Sequence, residues 1–144
     1  MQLPDGFTRH FRTSRVTDPW EPIYSRVDDT GVCIGLIIAD AHCNSRSFLH
    51  GGVIASLADN AMGLSFVQIA RQASSEVSQA ISGAVTVNLS IDYVAAAKLG
   101  QWMQINPRVV RVGGSLGFVD AIVTADGNPI ARANATFRLL QEKV

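Results

Sequence analysis

Residues 51–70 contain one charged side chain, Asp59, in an otherwise uncharged run. About twenty residues suffice to cross a bilayer as a helix, so a run like this is either a membrane span or the helix around which a soluble fold is built. Ser56, Asp59, Asn60, Ser65 and Gln68 interrupt it, and Gly51, Gly52 and Gly63 dilute it, which favours the buried helix. Val53, Ile54, Leu57, Ala58, Ala61, Leu64 and Ser65 recur at the spacing of one helical face. A helix so apolar needs a large partner surface, and the rest of the chain must supply it.

The remainder reads mostly as strands. Residues 1–19 are polar and irregular, with a short helix expected around 6–12. A first strand is expected over 21–28. Residues 31–39 (GVCIGLIIA) read as a strand buried on both faces. Residues 40–50 form a polar connection, and the Ser-rich residues 71–82 read as a loop. Strands follow over 84–94, 101–112, 116–125 and 130–140. In the first of these, Val85, Val87, Leu89, Ile91 and Tyr93 alternate with Thr86, Asn88, Ser90 and Asp92, which predicts one apolar and one polar face. Pro107 marks an edge or a bulge, and Asp126-Gly127-Asn128 is a hairpin signal. The last strand carries Arg132, Asn134, Thr136 and Arg138 on its polar face. Helix and strands are segregated, so the expected class is α+β with an antiparallel sheet, as a single domain over 1–144.

Composition narrows the function. The chain has 144 residues, 47% apolar and 17% charged, against a usual charged share of about 25%. Disorder is excluded, and part of the surface is expected to be covered by another subunit. Twelve Lys and Arg balance twelve Asp and Glu, unlike a dedicated nucleic-acid binder or a polybasic membrane binder. Arg9, Arg12 and Arg15 precede no apolar run, so residues 1–15 are not read as a secretory signal. Cys33 and Cys43 read as free thiols of a cytoplasmic protein. His42, Cys43 and His50 fall one ligand short of a structural zinc set, and neither metal nor cofactor is expected.

The helix has a second stripe. Gly52, Ala55, Asp59, Gly63, Phe66 and Ala70 fall within roughly 80° at 3.6 residues per turn. Nearly all are small, so another backbone can approach, and the carboxylate lies in the middle. Asp59 could simply be solvated or paired with an arginine. Yet Asp is a poor mid-helix residue and this one lies beyond the reach of the helix dipole. His50 could simply bond locally, and Gly51-Gly52 could simply be a tight helix start. Together, uncovered N–H groups at a helix N-terminus suit a developing negative oxygen, with an acid further along the same helix.

The pattern Asn44-x5-His50-Gly51-Gly52-x6-Asp59, within HGGVIASLADNAMG, resembles the hotdog-fold acyl-CoA thioesterases of the PaaI and 4-hydroxybenzoyl-CoA thioesterase type. VTVNLSIDYVAAAKLG, the Gly113-Gly114 turn and TADGNPIARANATF follow the same layout, so the resemblance covers about 31–140. It implies a long central helix wrapped by a curved antiparallel sheet. It also implies Asp59 as catalytic acid residue, the Gly51 N–H as carbonyl-polarising donor, Asn44 and His50 as orienting residues, and Thr86 as a hydroxyl that helps hold water. Ser47 and Ala96 depart from the Gly and Pro often found there. For the CoA phosphates, Arg108 and Arg111 beside Gly113-Gly114 are candidates, as are Arg71, Lys98 and Arg138, although a solvated strand charge explains each one singly. Gly52, Met62 and Phe66 are expected around the acyl group.

Gly51 and Asp59 are eight residues apart, about 12 Å along one helix, too far to meet on one carbonyl carbon. An acyl-CoA site using both therefore needs Gly51 of one chain and Asp59 of another, which predicts a homodimer with two shared sites. The family adds a pairing of dimers into tetramers. Asp59 would act as general base or as nucleophile. Two other readings stand beside this one: an enoyl-thioester hydratase or dehydratase on the same fold, and a non-catalytic acyl-CoA-binding module.

Overall fold

A computed structural model describes residues 2–73 and 79–143. In chain order its elements are β1 (Thr8–Arg9), β2 (Tyr24–Asp28), β3 (Gly31–Ile37), α1 (Gly51–Ala73), β4 (Gln79–Tyr93), β5 (Trp102–Val112), β6 (Leu116–Ala125) and β7 (Asn128–Lys143). Short 3-10 turns at Asp18–Trp20 and Asp40–His42 precede β2 and α1. The seven strands form one antiparallel sheet in the order β1-β2-β3-β5-β6-β7-β4. After β3 the chain crosses the sheet through α1 and returns at the far edge as β4. On its way α1 touches β3, β4, β5, β6 and β7. This is the α+β arrangement the residue pattern predicts, one long helix against one antiparallel sheet.

Burial explains it. Val53, Ile54, Leu57, Ala58, Ala61, Met62, Ser65 and Phe66 of α1 are buried, and each large apolar side chain among them contributes roughly 1.5–3 kcal/mol of gross burial free energy. They meet Val119, Ala121 and Val123 of β6 and Ala133, Ala135 and Phe137 of β7 in one core. The polar exception, Ser65, accepts the Val32 N–H at 2.9 Å and donates to the Ala61 carbonyl at 2.7 Å, so no buried donor is left open there. By length and composition α1 could cross a bilayer, but its apolar face lies on the sheet. The β6–β7 hairpin turns through Asp126 and Gly127, with φ of 47° and 84°, the left-handed conformation that a two-residue hairpin requires.

Four expectations need correction. Residues 6–12 hold no helix: Thr8–Arg9 pairs with β2 instead, and Phe7 packs edge-on against Trp102 with centroids 5.1 Å apart. The first long strand starts at Tyr24 rather than 21. Of the loop expected over 71–82, residues 71–73 continue α1, 79–82 open β4, and 74–78 lie outside the described residues. The alternation along β4 also breaks. A register shift between Thr86 and Asn88 inserts one extra residue, which reverses the phase of every side chain beyond it. Thr86 therefore faces the helix side together with Leu89 and Ile91, while Val85 and Val87 are 42% and 58% exposed.

Phe66 stacks on Phe137 with centroids 5.9 Å apart, directly over Gly117. A Cβ at Gly117 would lie 1.9 Å from Phe66 Cε1. Gly117→Ala should therefore force the ring aside and cost about 1–3 kcal/mol, read as a lower urea midpoint at unchanged slope.

Candidate active site

Asp59 lies two turns into α1, half-buried. Its Oδ1 accepts a hydrogen bond from the Thr86 hydroxyl at 2.6 Å. That contact exists because the β4 bulge turns Thr86 inward. Among the described residues no cation pairs with Asp59: the ion pairs there are Arg9–Glu21, Arg108–Asp120 and Arg132–Asp92. An open groove of about 940 Å³ runs past this carboxylate. Asp59, Gly63, Leu64 and Val67 of α1 form one side, with Ala84 and Thr86 of β4 beside them. Phe11, Arg12 and Ser14 of the N-terminal segment form another wall, and Arg71 stands at the same helix flank.

The start of α1 is built separately. Asn44 Oδ1 accepts the N–H groups of Arg46 and Phe48 at 2.9 and 3.2 Å, closing the loop that precedes the helix. Ser47, where the resembling family often carries Gly, has φ 63°, which accounts for a glycine preference at that position. His50 Nδ1 accepts the Gly52 N–H at 2.8 Å, and the His50 carbonyl accepts the N–H groups of Val53 and Ile54. Gly51 keeps the one first-turn N–H with no partner among the described residues. Its carbonyl accepts the Tyr93 hydroxyl at 2.7 Å.

The structure thus brings Asp59 and Thr86 together, and Asn44, His50, Gly51 and Gly52 together, at two places along one helix. Of the other side chains named from the sequence, Arg71 lines the groove and the rest do not. Met62 and Phe66 have no exposed surface. They fill the core beneath α1, so the expectation that they surround the acyl group is corrected, and Gly63, Leu64 and Val67 occupy that flank instead. The reason is the roll of the helix, which turns the apolar positions at 62 and 66 onto β6 and β7. Arg108 pairs with Asp120 at 3.5 Å on the exposed sheet surface. Neither it nor Arg111, Gly113 or Gly114 lines the groove of this protomer. Arg71 does, with its guanidinium donating to the Ile81 carbonyl. Among the described residues no cluster of metal-ligating side chains occurs, and both His42 nitrogens are engaged, by the Ala39 N–H and the Trp20 carbonyl. Cys33 and Cys43 are free, and burial pushes both thiols up, away from reactivity.

Sequence reading missed the N-terminal wall. Residues 10–14 carry no periodic signal, and long-range contacts such as the pairing of Thr8–Arg9 with β2, the packing of Phe7 and the bond from His10 N–H to the Ile23 carbonyl place them at the groove. Tyr93 likewise carries no signal beyond its place in the alternation of β4, yet its hydroxyl reaches the start of α1. Behind the wall, His10 is buried against Glu21 and Asn60. Both its ring nitrogens, Glu21 Oε2 and Asn60 Oδ1 are without hydrogen-bond partners among the described residues.

Known proteins resemble this chain in sequence and in fold. A family profile described as the thioesterase superfamily matches residues 47–131. A Pseudomonas aeruginosa protein provisionally named an esterase is 31% identical over 140 residues, covering 96% of this chain and 98% of its own. Human acyl-coenzyme A thioesterase 13 is 32% identical over 104 residues, 71% of this chain and 68% of its own. The crystal structure of a Streptococcus mutans protein bound to acetyl CoA superposes with a TM-score of 0.70 at 27% identity, covering 83% of this chain and 90% of that one.

Burial holds His10 below the ordinary histidine pKa. Glu21 and Asn60 oppose this in part, and Arg12 adds to it. The unfolded chain therefore takes up this proton first, and stability falls as pH drops from about 6.5 toward the lower folded value. His10→Gln should lose less stability than the wild type between pH 7.5 and 5.5, measured by urea unfolding at both pH values.

Proposed function

The chain belongs to the thioesterase superfamily and is a thioester hydrolase, and on that premise we propose that it hydrolyses acyl-CoA with Asp59 as the reacting carboxylate and the Gly51 N–H as the donor to the carbonyl oxygen. The observation that carries this reading is the Asp59 carboxylate itself. It sits half-buried on the groove, held by Thr86 on Oδ1, with no cation among the described residues to neutralise it. An acid left in that condition, with Arg71 in the last turn as the helix's one other charged residue, is expected at a reacting centre. The relative named acyl-coenzyme A thioesterase 13 and the acetyl-CoA-bound neighbour support acyl-CoA as the substrate.

In this mechanism water attacks the thioester carbonyl carbon while Asp59 takes its proton. The tetrahedral oxyanion is met by the Gly51 N–H at the positive end of α1. Collapse breaks the carbon–sulfur bond, and the CoA thiolate takes the proton back from Asp59. In the nucleophilic variant Asp59 attacks the carbonyl carbon directly, the carbon–sulfur bond breaks as the CoA thiolate leaves, and water then hydrolyses the mixed anhydride to free acid and the Asp59 carboxylate, its released proton going to the thiolate. In both, the acyl group lies along Gly63, Leu64 and Val67. His50 and Asn44 orient the helix start and do not react. His50 Nδ1 is taken by the Gly52 N–H, which disfavours a histidine-based hydration. A pure binding module leaves the unpaired Asp59 without a role.

The two functional groups stand about 12 Å apart along α1, so each site takes Gly51 from one chain and Asp59 from another. The open outer edge of β4, with Val85 and Val87 exposed beside it, supports a second copy at that edge.

Thiol release from aryl-, short-chain and long-chain acyl-CoA tests the chemistry. Asp59→Asn should lower the rate at least about a hundredfold with the fold intact, and near-wild-type release would sink the proposal. Mixing tests the sharing. Asp59→Ala and Gly51→Pro homodimers, each shown to fold, should be nearly inactive. Their dissociated and reassociated mixture should recover up to about a quarter of wild-type activity, since half the dimers are mixed and one of two sites in each is intact. Verified mixed dimers as inactive as their parents would put each site within one chain.

A further inference from the structure

Two adjacent glycines open α1, and nothing in their own chemistry fixes the peptide plane between them, because glycine accepts almost any φ/ψ. That plane is nevertheless held from both sides. Tyr93, near the end of β4, donates its hydroxyl proton to the Gly51 carbonyl at 2.7 Å. His50 Nδ1 accepts the N–H of the same peptide, from Gly52, at 2.8 Å. Side-chain space is given up on both flanks to allow this. A Cβ at Gly51 would lie 3.0 Å from Tyr93 Cζ and 3.2 Å from its hydroxyl, and one at Gly52 would lie 3.0 Å from His50 Nδ1. The glycines and the two clamping side chains are therefore one device.

We propose that Tyr93 is a positioning residue for the oxyanion donor: by clamping the Gly51–Gly52 peptide against His50, it sets the direction of the free Gly51 N–H. The inference rests on the proposed role of that N–H and adds a residue outside the helix motif to it. With the plane between Gly51 and Gly52 held, the dihedrals of Gly51 are held too, and its own N–H points in one direction before substrate arrives. Such preorganisation matters most when charge develops on the oxygen, because a donor already aimed needs no reorganisation in the transition state. Tyr93 touches neither the substrate nor Asp59 in this scheme. Its loss should therefore appear in kcat and not in KM.

Tyr93→Phe keeps the ring and removes only the donor. With the acyl-CoA turned over fastest in the panel above, kcat should fall about five- to twentyfold while KM changes less than twofold and the unfolding temperature is unchanged. A second readout separates aiming from general support. S-acetonyl-CoA, a non-hydrolysable ketone with 13C at its carbonyl, is added at saturating concentration and its C=O stretch recorded by infrared difference spectroscopy. The wild type should lower that frequency relative to water, and Tyr93→Phe should return most of the shift. An unchanged kcat and an undiminished shift in Tyr93→Phe overturn the inference alone. A wild-type protein that leaves the carbonyl unshifted overturns the assigned role of the Gly51 N–H and the inference with it.

Discussion

The seam between α1 and the sheet is the contact on which the rest of the molecule depends. Phe66 can lie flat over β6 only because Gly117 has no side chain, and Ala58 and Ala61 meet a floor made partly of Ala121, Ala133 and Ala135. Small residues on both surfaces bring the helix down until Met62, Leu57 and Ile54 are sealed. That burial decides the roll of α1 about its own axis. Once positions 54, 57, 58, 61, 62, 65 and 66 face inward, the 3.6-residue period leaves 59, 63 and 67 on one flank. Asp59 needs no separate device to reach the groove, because the core holds it there.

The same seam explains why the carboxylate is tolerated. Asp59 is only half-buried, and its one hydrogen-bond partner among the described residues is a neutral hydroxyl. An arginine in place of Thr86 would neutralise the carboxylate, and an apolar side chain would leave it without any donor. The β4 bulge is therefore part of the site as well as of the sheet. One inserted residue turns a threonine toward the helix and leaves two valines exposed beside an open strand edge, so the feature that completes the Asp59 environment also shapes that edge.

At the other end of α1 the polar groups are almost all consumed locally. Asn44 closes the preceding loop, His50 takes up one helix N–H by its ring and two by its carbonyl, and Tyr93 bonds the first carbonyl. What remains in the first turn is one N–H, at Gly51, with no partner among the described residues. In a fold that satisfies its neighbours so completely, the donor left over is the informative one.

Much of this was legible in the chain itself. A twenty-residue stretch with one charge determined a central helix, the alternating segments after it determined an antiparallel sheet, and Asp126-Gly127 determined the last hairpin, because hydrophobic period and backbone freedom are local properties. The spacing of Asn44, His50, Gly51 and Asp59 likewise marked the two places along α1 where the structure gathers the candidate groups, and the fixed rise of a helix alone separated Gly51 from Asp59. Tertiary structure decided the rest. Met62 and Phe66 look like pocket residues on a helical wheel, but the direction in which the helix rolls depends on what it packs against. Thr86 looks outward by strict alternation, but a bulge is paid for by pairing across to β7, which no window of β4 reveals. The N-terminal wall of residues 10–14 and the hydroxyl of Tyr93 reach the site through contacts far apart in the chain, and such contacts leave no period for a sequence to display.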